Sequence, residues 1–400
     1  MAAIDKPALE GGDPVRSTVL PYATQSIGRE EIEAVVETLK SVWITTGPRE
    51  KEFSEKFAAY VGSKHAVAVN SCTSALNVSV VALGIGPGDE VITTPLTFVA
   101  TTFAVIHAGA TPVFADIRPD TFNIDPAEIE QKITPRTKAI LPMHYGGTPV
   151  DLDPILAIAK KHKLKVIEDA AHASGAEYKG RKIGTFGDFT CFSFHAIKNM
   201  TSAEGGMITT ADPEMASLLK ALVFFGIPMD AYKRSTSPNP WHYDVEHLGY
   251  KYNMPDISAA LGMVQLEKLD RFNARRAELT RMYNEAFSGM EEIITPVVTE
   301  GAKSSHHLYV IRIREEMMRV GRDHLLAALR AENIFANIHY TPIYRHPYFV
   351  KTMNLDPALF PACEAVASSI ITLPLFPAMA DEDLRSVVEA MSKIVKYYRK

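Results

Sequence analysis

The chain has 400 residues, of which 46% are hydrophobic and 22% charged, and its formal net charge is −5 at pH 7. This length exceeds what one hydrophobic core usually supports, so we expect two domains and a core that needs neither a disulfide nor a metal. Lys and Arg are scattered without a basic block, which argues against a nucleic-acid partner. No apolar run approaches the roughly 20 residues that span a bilayer, and no signal-peptide pattern is present.

The three cysteines are few, odd in number and widely spaced, at Cys72, Cys191 and Cys363. A disulfide framework needs paired cysteines, so these residues are interpreted as small buried thiols in a reducing compartment. We therefore expect a cytoplasmic protein.

Helical spacing appears first after Gly28, where Ile32, Val35, Val36 and Leu39 predict an amphipathic helix. From residue 66 onward, short apolar runs alternate with helical patterns. The runs predict strands at residues 91–94, 112–117, 139–143, 165–168, 190–194 and 207–210. Helical patterns at residues 125–133 and 154–161 lie between them. This alternation predicts an α/β fold with a mainly parallel sheet that is covered on both faces.

After Asp256 the pattern changes to a long helical stretch that runs toward Phe287 without a proline. A strand at residues 308–313 and helices at residues 324–332 and 383–398 follow it. We expect a large domain over residues 1–274 and a small C-terminal α+β domain over residues 275–400. The long helix would connect the two domains.

Small hydroxyl residues lie between a predicted strand at residues 66–69 and a predicted helix. This segment includes Thr73 and Ser74. The first turn of a helix exposes backbone N–H groups and carries partial positive charge, so it favours a phosphate group. An ordinary helix cap is the alternative interpretation of this segment.

Asp169 and His172 follow the predicted strand at residues 165–168, within the sequence Glu-Asp-Ala-Ala-His. Open α/β sheets bind ligands at the carboxyl ends of their strands, so Asp169 could pair with a buried cationic ring nitrogen. A helix cap remains the alternative for Asp169, and a hydrogen-bonded structural histidine remains the alternative for His172.

Lys198 follows the next predicted strand, five residues after Ser193, and Gly205 and Gly206 come shortly after it. Most lysines are solvated surface residues. A lysine in a poorly hydrated pocket instead has a lowered pKa and can form a Schiff base with a carbonyl group.

Phe98 follows the predicted strand at residues 91–94, where an aromatic side chain could stack on a flat ligand or simply pack in the core. The pair His306 and His307 lacks the spacing of a zinc-binding helix, and we expect no metal site. Phosphate-binding loops of the Walker and dinucleotide types are missing from the sequence, as is a nucleophile elbow.

The order of these segments resembles the sugar aminotransferases of the DegT/DnrJ/StrS family. The likeness runs from about Tyr22 to the C-terminus. It rests on the hydroxyl segment, on Phe98, on Glu-Asp-Ala-Ala-His, and on Ser-Phe-His-x-x-Lys-Asn followed by Glu-Gly-Gly. It also includes segments that begin at Trp43, His144 and His339.

The resemblance is strongest to the branch that aminates a 4-keto pentose on UDP, the UDP-4-amino-4-deoxy-L-arabinose type. The segments at residues 194–199 and 249–256 carry this likeness. Lys251 and Asn253 stand where many family members have Asn and Arg. Phe98 stands where the arabinose-type enzymes have Trp.

The resemblance implies a fold type I aminotransferase that depends on pyridoxal 5'-phosphate (PLP). It implies a homodimer with active sites at the subunit interface, where Lys251 or Asn253 reaches the partner's site. Lys198 would bind the PLP aldehyde, and Asp169 would pair with the ring nitrogen. Further contacts would come from Phe98 on the ring face, His172 near the ring hydroxyl, and three phosphate-binding residues, Thr73, Ser74 and Ser193. Trp43, His339 and Tyr340 are candidates to line the sugar site.

The reaction implied is transfer of an amino group from L-glutamate to a nucleotide-linked 4-keto sugar, with 2-oxoglutarate as the other product. Alternative acceptors are a 4-keto-6-deoxy hexose, a 3-keto sugar and an aminocyclitol precursor. A related PLP dehydratase is disfavoured because such enzymes carry histidine in place of Lys198. A regulator that binds PLP or sugar without turnover is the alternative from another class.

Overall fold

The computed structural model describes residues 5–228, 235, 239 and 241–400. Its largest sheet has seven strands in the order β1-β9-β8-β5-β4-β2-β3. These strands are β1 (His65–Val69), β2 (Glu90–Thr93), β3 (Thr111–Phe114), β4 (Thr137–Leu141), β5 (Lys165–Asp169), β8 (Phe189–Ser193) and β9 (Gly206–Thr210). Strand β9 pairs antiparallel with both of its neighbours, and the remaining pairs are parallel. The predicted α/β fold with a mostly parallel mixed sheet is therefore confirmed.

Helices cover both faces of this sheet, which explains why its strands are almost continuously buried. They are α1 (Arg29–Lys40), α2 (Pro48–Val61), α3 (Cys72–Ala82), α4 (Val99–His107), α5 (Pro126–Gln131), α6 (Leu152–His162) and α7 (Pro213–Leu222). Local caps set several of their starts. Ser71 accepts a hydrogen bond from the Ser74 amide, and Asp125 accepts one from the Ala127 amide just before Pro126.

The C-terminal part is built on one long helix and one small sheet, and it adds a strand to a second small sheet. Helix α8 (Asp256–Phe287) passes through residue 274 without interruption, so the division at that residue stays a prediction. One small sheet contains β10 (Ile293–Ile294), β12 (Tyr309–Ile313) and β13 (Ile370–Leu373). The other contains β6 (Glu177–Tyr178), β7 (Arg181–Lys182) and β11 (Ala302–Lys303). The remaining helices are α9 (Arg322–Ala331), α10 (Pro347–Met353), α11 (Pro361–Ala367) and α12 (Asp381–Tyr398).

Strand β3 ends at Phe114, three residues before the predicted end at Ile117. The reason lies in Asp116, whose carboxylate accepts hydrogen bonds from the amides of Ile117, Ala362 and Cys363 at 2.8 to 3.0 Å. A side chain that bonds to nearby backbone competes with a strand ladder. Asp116 thereby attaches the start of helix α11 to the edge of the large sheet.

The N-terminal segment packs against the C-terminal part of the chain. The amides of Ala8 and Val15 donate to the buried carboxylate of Glu332 at 2.8 Å each. Lys393 forms an ion pair with the same carboxylate at 3.1 Å and donates to the Asp13 carbonyl. Because Glu332 is fully buried, these partners stabilise a charge that would otherwise be costly to bury.

Candidate active site

Two of the predicted site residues lie at the carboxyl ends of parallel strands, where open α/β sheets bind ligands. Asp169 ends strand β5 and Ser193 ends strand β8, its direct neighbour in the sheet. Both side chains are buried. The chain that leaves β8 carries Lys198 back over this edge.

Asp169 is a buried carboxylate with hydrogen-bond donors on both oxygens. The Thr101 hydroxyl donates to Oδ2 at 2.7 Å, and the Ala171 amide donates to Oδ1 at 3.0 Å. Burial raises the pKa of Asp169, whereas these two donors and the positive charge of Lys198 oppose that rise. No helix begins directly after Asp169, so the helix-cap interpretation is wrong, and the Ala171 amide belongs to a turn between β5 and β6.

Lys198 lies in a loop whose base is closed by backbone hydrogen bonds. The Phe194 amide donates to the Gly205 carbonyl, and the Ser202 amide donates to the Phe194 carbonyl, each at 2.9 Å. Lys198 keeps some solvent exposure, but burial of its amine lowers its pKa to about 8, while the Cys72 thiol and Asp169 oppose that shift. A substantial neutral fraction of the amine therefore exists near neutral pH.

Two buried histidines and a tyrosine lie beside Lys198. The Gly146 amide donates to Nδ1 of His172 at 3.3 Å, so Nε2 of His172 carries the proton and donates to the Tyr340 hydroxyl at 3.0 Å. The His307 ring lies 4.3 Å from the His172 ring between centroids, and its Nε2 is 3.5 Å from Nζ of Lys198. Burial lowers the pKa of both histidines, so both are neutral.

Sequence reasoning missed His307 as a site residue because it tested the histidine pair only against zinc-ligand spacing. The available signal was its position directly before the predicted apolar strand at residues 308–313, where a polar side chain needs a buried partner. The sequence gives no indication that this partner lies 109 positions away.

The hydroxyl segment forms the start of helix α3, as predicted. The Ser74 hydroxyl donates to the Asn70 side chain at 2.6 Å, whereas Thr73 is exposed. Gly206 approaches this helix start so closely that an added Cβ would lie 2.8 Å from the Cys72 amide nitrogen. Only glycine fits there without moving the helix.

The structure also brings Phe98 and the His339 segment to this side of the sheet. Phe98 is 55% exposed, and its ring centroid lies 6.0 Å from that of Tyr340. His339 is buried, and its Nδ1 lies 2.9 Å from the Thr372 hydroxyl oxygen. Tyr340 thus connects the exposed ring of Phe98 to the buried ring of His172.

Three further predicted site residues contact other parts of the chain, namely Trp43, Lys251 and Asn253. The Trp43 indole donates to the Thr46 carbonyl at 2.7 Å, and the Asn253 amide donates to the Thr46 hydroxyl. Lys251 is exposed, and its amine lies 4.7 Å from the centroid of the Phe224 ring. Burial of part of this side chain lowers the pKa of Lys251.

A second buried pair supports the strand that carries Asp169. The Val150 amide donates to Nδ1 of His144, so the His144 Nε2–H donates to Glu168 at 3.0 Å. Both side chains are fully buried. The His144 amide also donates to the Asp169 carbonyl at 3.0 Å, which fixes the end of β5.

A buried carboxylate that interacts electrostatically with a lysine of lowered pKa, at the carboxyl edge of a mostly parallel sheet, is typical of a PLP-dependent α/β enzyme. The chain belongs to the DegT/DnrJ/EryC1/StrS aminotransferase family, whose profile matches residues 25–392. It is therefore a sugar aminotransferase that uses PLP.

Relatives of known name cover nearly the whole chain. The spore coat polysaccharide biosynthesis protein SpsC of Bacillus subtilis (strain 168) is 48% identical over 382 residues, which are 95% of this chain and 98% of SpsC. The PMP form of Spr1654 from Streptococcus pneumoniae, assigned as a sugar aminotransferase, has a TM-score of 0.90 at 35% identity and covers 94% of this chain and 99% of its own. DesI, solved with its TDP-sugar product, has a TM-score of 0.86 at 30% identity, over 97% and 96% of the two chains.

The residues present suit PLP. Asp169 is a buried carboxylate of the kind that pairs with a protonated pyridine nitrogen, and Lys198 is an amine that burial keeps partly neutral. The start of helix α3 and the exposed Thr73 hydroxyl offer donors to a phosphate group. Within the described residues, no helix has both the length and the apolar character needed to cross a membrane.

Proposed function

We propose that this enzyme transfers the amino group of L-glutamate to a 4-keto sugar linked to a nucleotide, with a UDP-linked 4-keto pentose as the favoured acceptor. The observation that carries the proposal is the placement of Lys198 and Asp169 in one buried site. The TDP-sugar product of DesI supports a nucleotide-linked acceptor. The name of SpsC supports a role in polysaccharide synthesis.

Each cofactor contact has a candidate residue. Lys198 would hold the PLP aldehyde carbon, and Asp169 would face the ring nitrogen. Phe98 would cover one ring face, and His172 would lie near the ring hydroxyl. The phosphate would be bound by Thr73, Ser74 and Ser193.

Bound PLP supplies an electron sink for the pair of electrons released when the Cα–H bond of the amino acid breaks. Lys198 moves the proton, accepting it at Nζ and returning it to another carbon, which requires the neutral amine. With its pKa lowered to about 8, Lys198 has both protonation states available near neutral pH. Asp169 stabilises positive charge at the ring nitrogen, helped by the Thr101 hydroxyl on its second oxygen.

We propose that Trp43, His339 and Tyr340 line the sugar site. Tyr340 is well placed for this role because it lies between exposed Phe98 and buried His172. His339 is held by Thr372, and burial lowers its pKa to about 3, so it presents a neutral ring.

We further propose a cytoplasmic homodimer, in which Lys251 or Asn253 reaches the partner's site. Support comes from the outer face of helix α1, where Ile32, Val36 and Leu39 are 58%, 38% and 56% exposed. Apolar rows of this kind usually pack against another surface.

A single Val36→Arg substitution should convert dimers to monomers in light scattering. Mixed dimers of Lys198→Ala and Lys251→Ala should be more active than either variant alone if Lys251 acts across the interface.

The proposal is tested with Lys198→Ala and with Lys303→Ala as a matched surface control. Lys198→Ala should lose the visible absorbance of bound PLP and all measurable turnover while circular dichroism shows the native fold. Lys303 is exposed, so its variant should behave as wild type. Substantial turnover by Lys198→Ala would refute the assignment.

The donor and the acceptor need a separate experiment. Glutamate should convert the enzyme to its pyridoxamine form, which a spectrum records directly. A panel of UDP- and TDP-linked 4-keto pentoses, 4-keto-6-deoxy hexoses and 3-keto sugars is then added, and the sugar that restores the PLP spectrum fastest is the substrate. If glutamate left the spectrum unchanged, the result would support the alternative of a regulator that binds PLP or sugar without turnover.

A further inference from the structure

His307 is a buried side chain whose two ring nitrogens are in very different situations. It is only 4% exposed, and its Nε2 lies 3.5 Å from Nζ of Lys198. Its Nδ1 is buried without a hydrogen-bond partner among the described residues. A buried donor or acceptor without a partner is destabilising, so the fold retains this ring at a cost.

The protonation of the ring follows from its neighbour. A protonated lysine amine has only donors to offer, so beside it Nε2 of His307 is the bare, accepting nitrogen. The proton of the neutral imidazole then lies on the unpartnered Nδ1. The groups that face His307 are Lys198, His172, His339 and Arg276, and none of the histidines is charged, because burial lowers the pKa of all three.

Hydrogen bonds hold the backbone around His307 next to the segment that carries Lys198. The Asn199 side chain, next to Lys198, donates to the Ser305 carbonyl at 2.7 Å. The Leu308 amide donates to the Gly146 carbonyl at 3.1 Å, and Arg276 donates to the His307 carbonyl at 3.2 Å. The backbone that carries the imidazole is therefore fixed on both sides next to the segment that carries Lys198.

We propose that His307 is a positioning residue for Lys198, whose Nε2 accepts one N–H of the amine and thereby orients the amine toward the cofactor. An amine held by one N–H keeps its lone pair free to attack a carbonyl carbon or to take up a proton. The inference rests on the proposed function in taking Lys198 as the amine that binds PLP. It assigns no direct contact between His307 and the substrate.

Two amide substitutions separate positioning from packing. The side chain of His307→Gln places an oxygen near the position of Nε2, whereas that of His307→Asn is shorter and ends near Nδ1. PLP is added to each PLP-free full-length variant, and the rate at which the visible absorbance appears is followed from pH 6 to 10. A plot of this rate against pH gives the limiting rate at high pH and the midpoint, which is the pH at which the rate is half of that limit.

The wild-type midpoint should lie near the lysine pKa of about 8. His307→Asn should lower the limiting rate about 10-fold and move the midpoint down by about one pH unit, because an acceptor for the charged amine is lost. His307→Gln should keep the rate within about threefold of wild type, since the acceptor is retained. Equal behaviour of the Asn and Gln variants, whether both normal or both impaired, would overturn the proposal.

A second measurement does not use PLP. The PLP-free proteins are acylated briefly at each pH, and mass spectrometry of the Lys198 peptide gives the midpoint of amine reactivity. This midpoint should fall in His307→Asn but not in His307→Gln, and no difference between them would overturn the proposal. If the Asn variant fails to fold by circular dichroism, His307→Phe replaces it. If Lys198→Ala still developed the visible absorbance of bound PLP, the proposed function would be wrong. The acylation experiment, which does not use PLP, would then decide the role of His307.

Discussion

The carboxylate of Asp256 accepts a hydrogen bond from the backbone amide of Gly47 at 2.9 Å, although the two residues are 209 positions apart. The same carboxylate accepts hydrogen bonds from the amides of Arg49 and Glu50 at 3.1 and 2.9 Å. The first residue of helix α8 therefore caps the start of helix α2. The Trp43 ring packs directly against the capped residue Gly47, where an added Cβ would lie only 2.2 Å from that ring.

Asp256→Asn should destabilise the protein by about 1 to 3 kcal/mol, because an amide has one accepting oxygen for three backbone amide donors. The loss should appear as a lower Tm in calorimetry. Asp125→Asn is the matched control, since Asp125 is an exposed local cap at which Asn serves as well as Asp. Equal stability of the two variants would contradict the role of Asp256.

Asp169→Asn should keep part of its PLP but lower kcat at least about 100-fold, because it removes the negative charge that we propose faces the ring nitrogen. Thr101→Val provides the comparison, since it removes one hydrogen bond and keeps the charge. Its effect on kcat should be clearly smaller. PLP content and single-turnover rates with glutamate measure both variants, and near-normal rates for Asp169→Asn would exclude the assigned role.

Gly206→Ala should weaken PLP binding about 10-fold or more, because the new methyl group displaces the start of helix α3. The added Cβ would lie 2.7 Å from the Ser71 carbonyl carbon. Gly289→Ala is the control, as nothing lies within 4 Å of its Cβ. Equilibrium dialysis of PLP gives both dissociation constants, which should differ only for Gly206→Ala.

The PLP-free protein should gain stability between pH 8 and pH 10.5 relative to Lys198→Met. Folding lowers the pKa of Lys198 from 10.5 to about 8, so within this window the unfolded chain binds a proton that the folded chain does not. Stability then rises with pH, whereas below pH 8 the full penalty of burying the charge applies. The Tm of the wild type should therefore approach that of Lys198→Met as pH rises, and a constant difference would contradict the lowered pKa.

The sequence predicted the regular elements well because local patterns determine them. The long helix was expected from Asp256 toward Phe287 and spans those two residues. The strands before Asp169 and Lys198 were placed to within one residue at their ends. Both features follow from hydrophobic periodicity and from the absence of proline in the helix.

The sequence did not predict contacts that depend on distant parts of the chain. The acceptor role of His307 and the cap made by Asp256 involve residues about 100 and 200 positions away. Nor does periodicity tell which neighbour covers an apolar row, so the exposure of Ile32 on helix α1 came only from the structure. Roles of individual side chains in PLP binding came from the family resemblance and stay predictions.

The contact between Ala8 and Glu332 spans 324 positions and has a consequence for synthesis. A chain emerging from the ribosome exposes residues 8 to 15 long before Glu332 and Lys393 exist to receive them. The large sheet, whose strands all precede residue 211, can assemble first. The N-terminal segment can attach only after Glu332 has been synthesised, so a nascent chain stopped before Glu332 should leave that segment open to proteases.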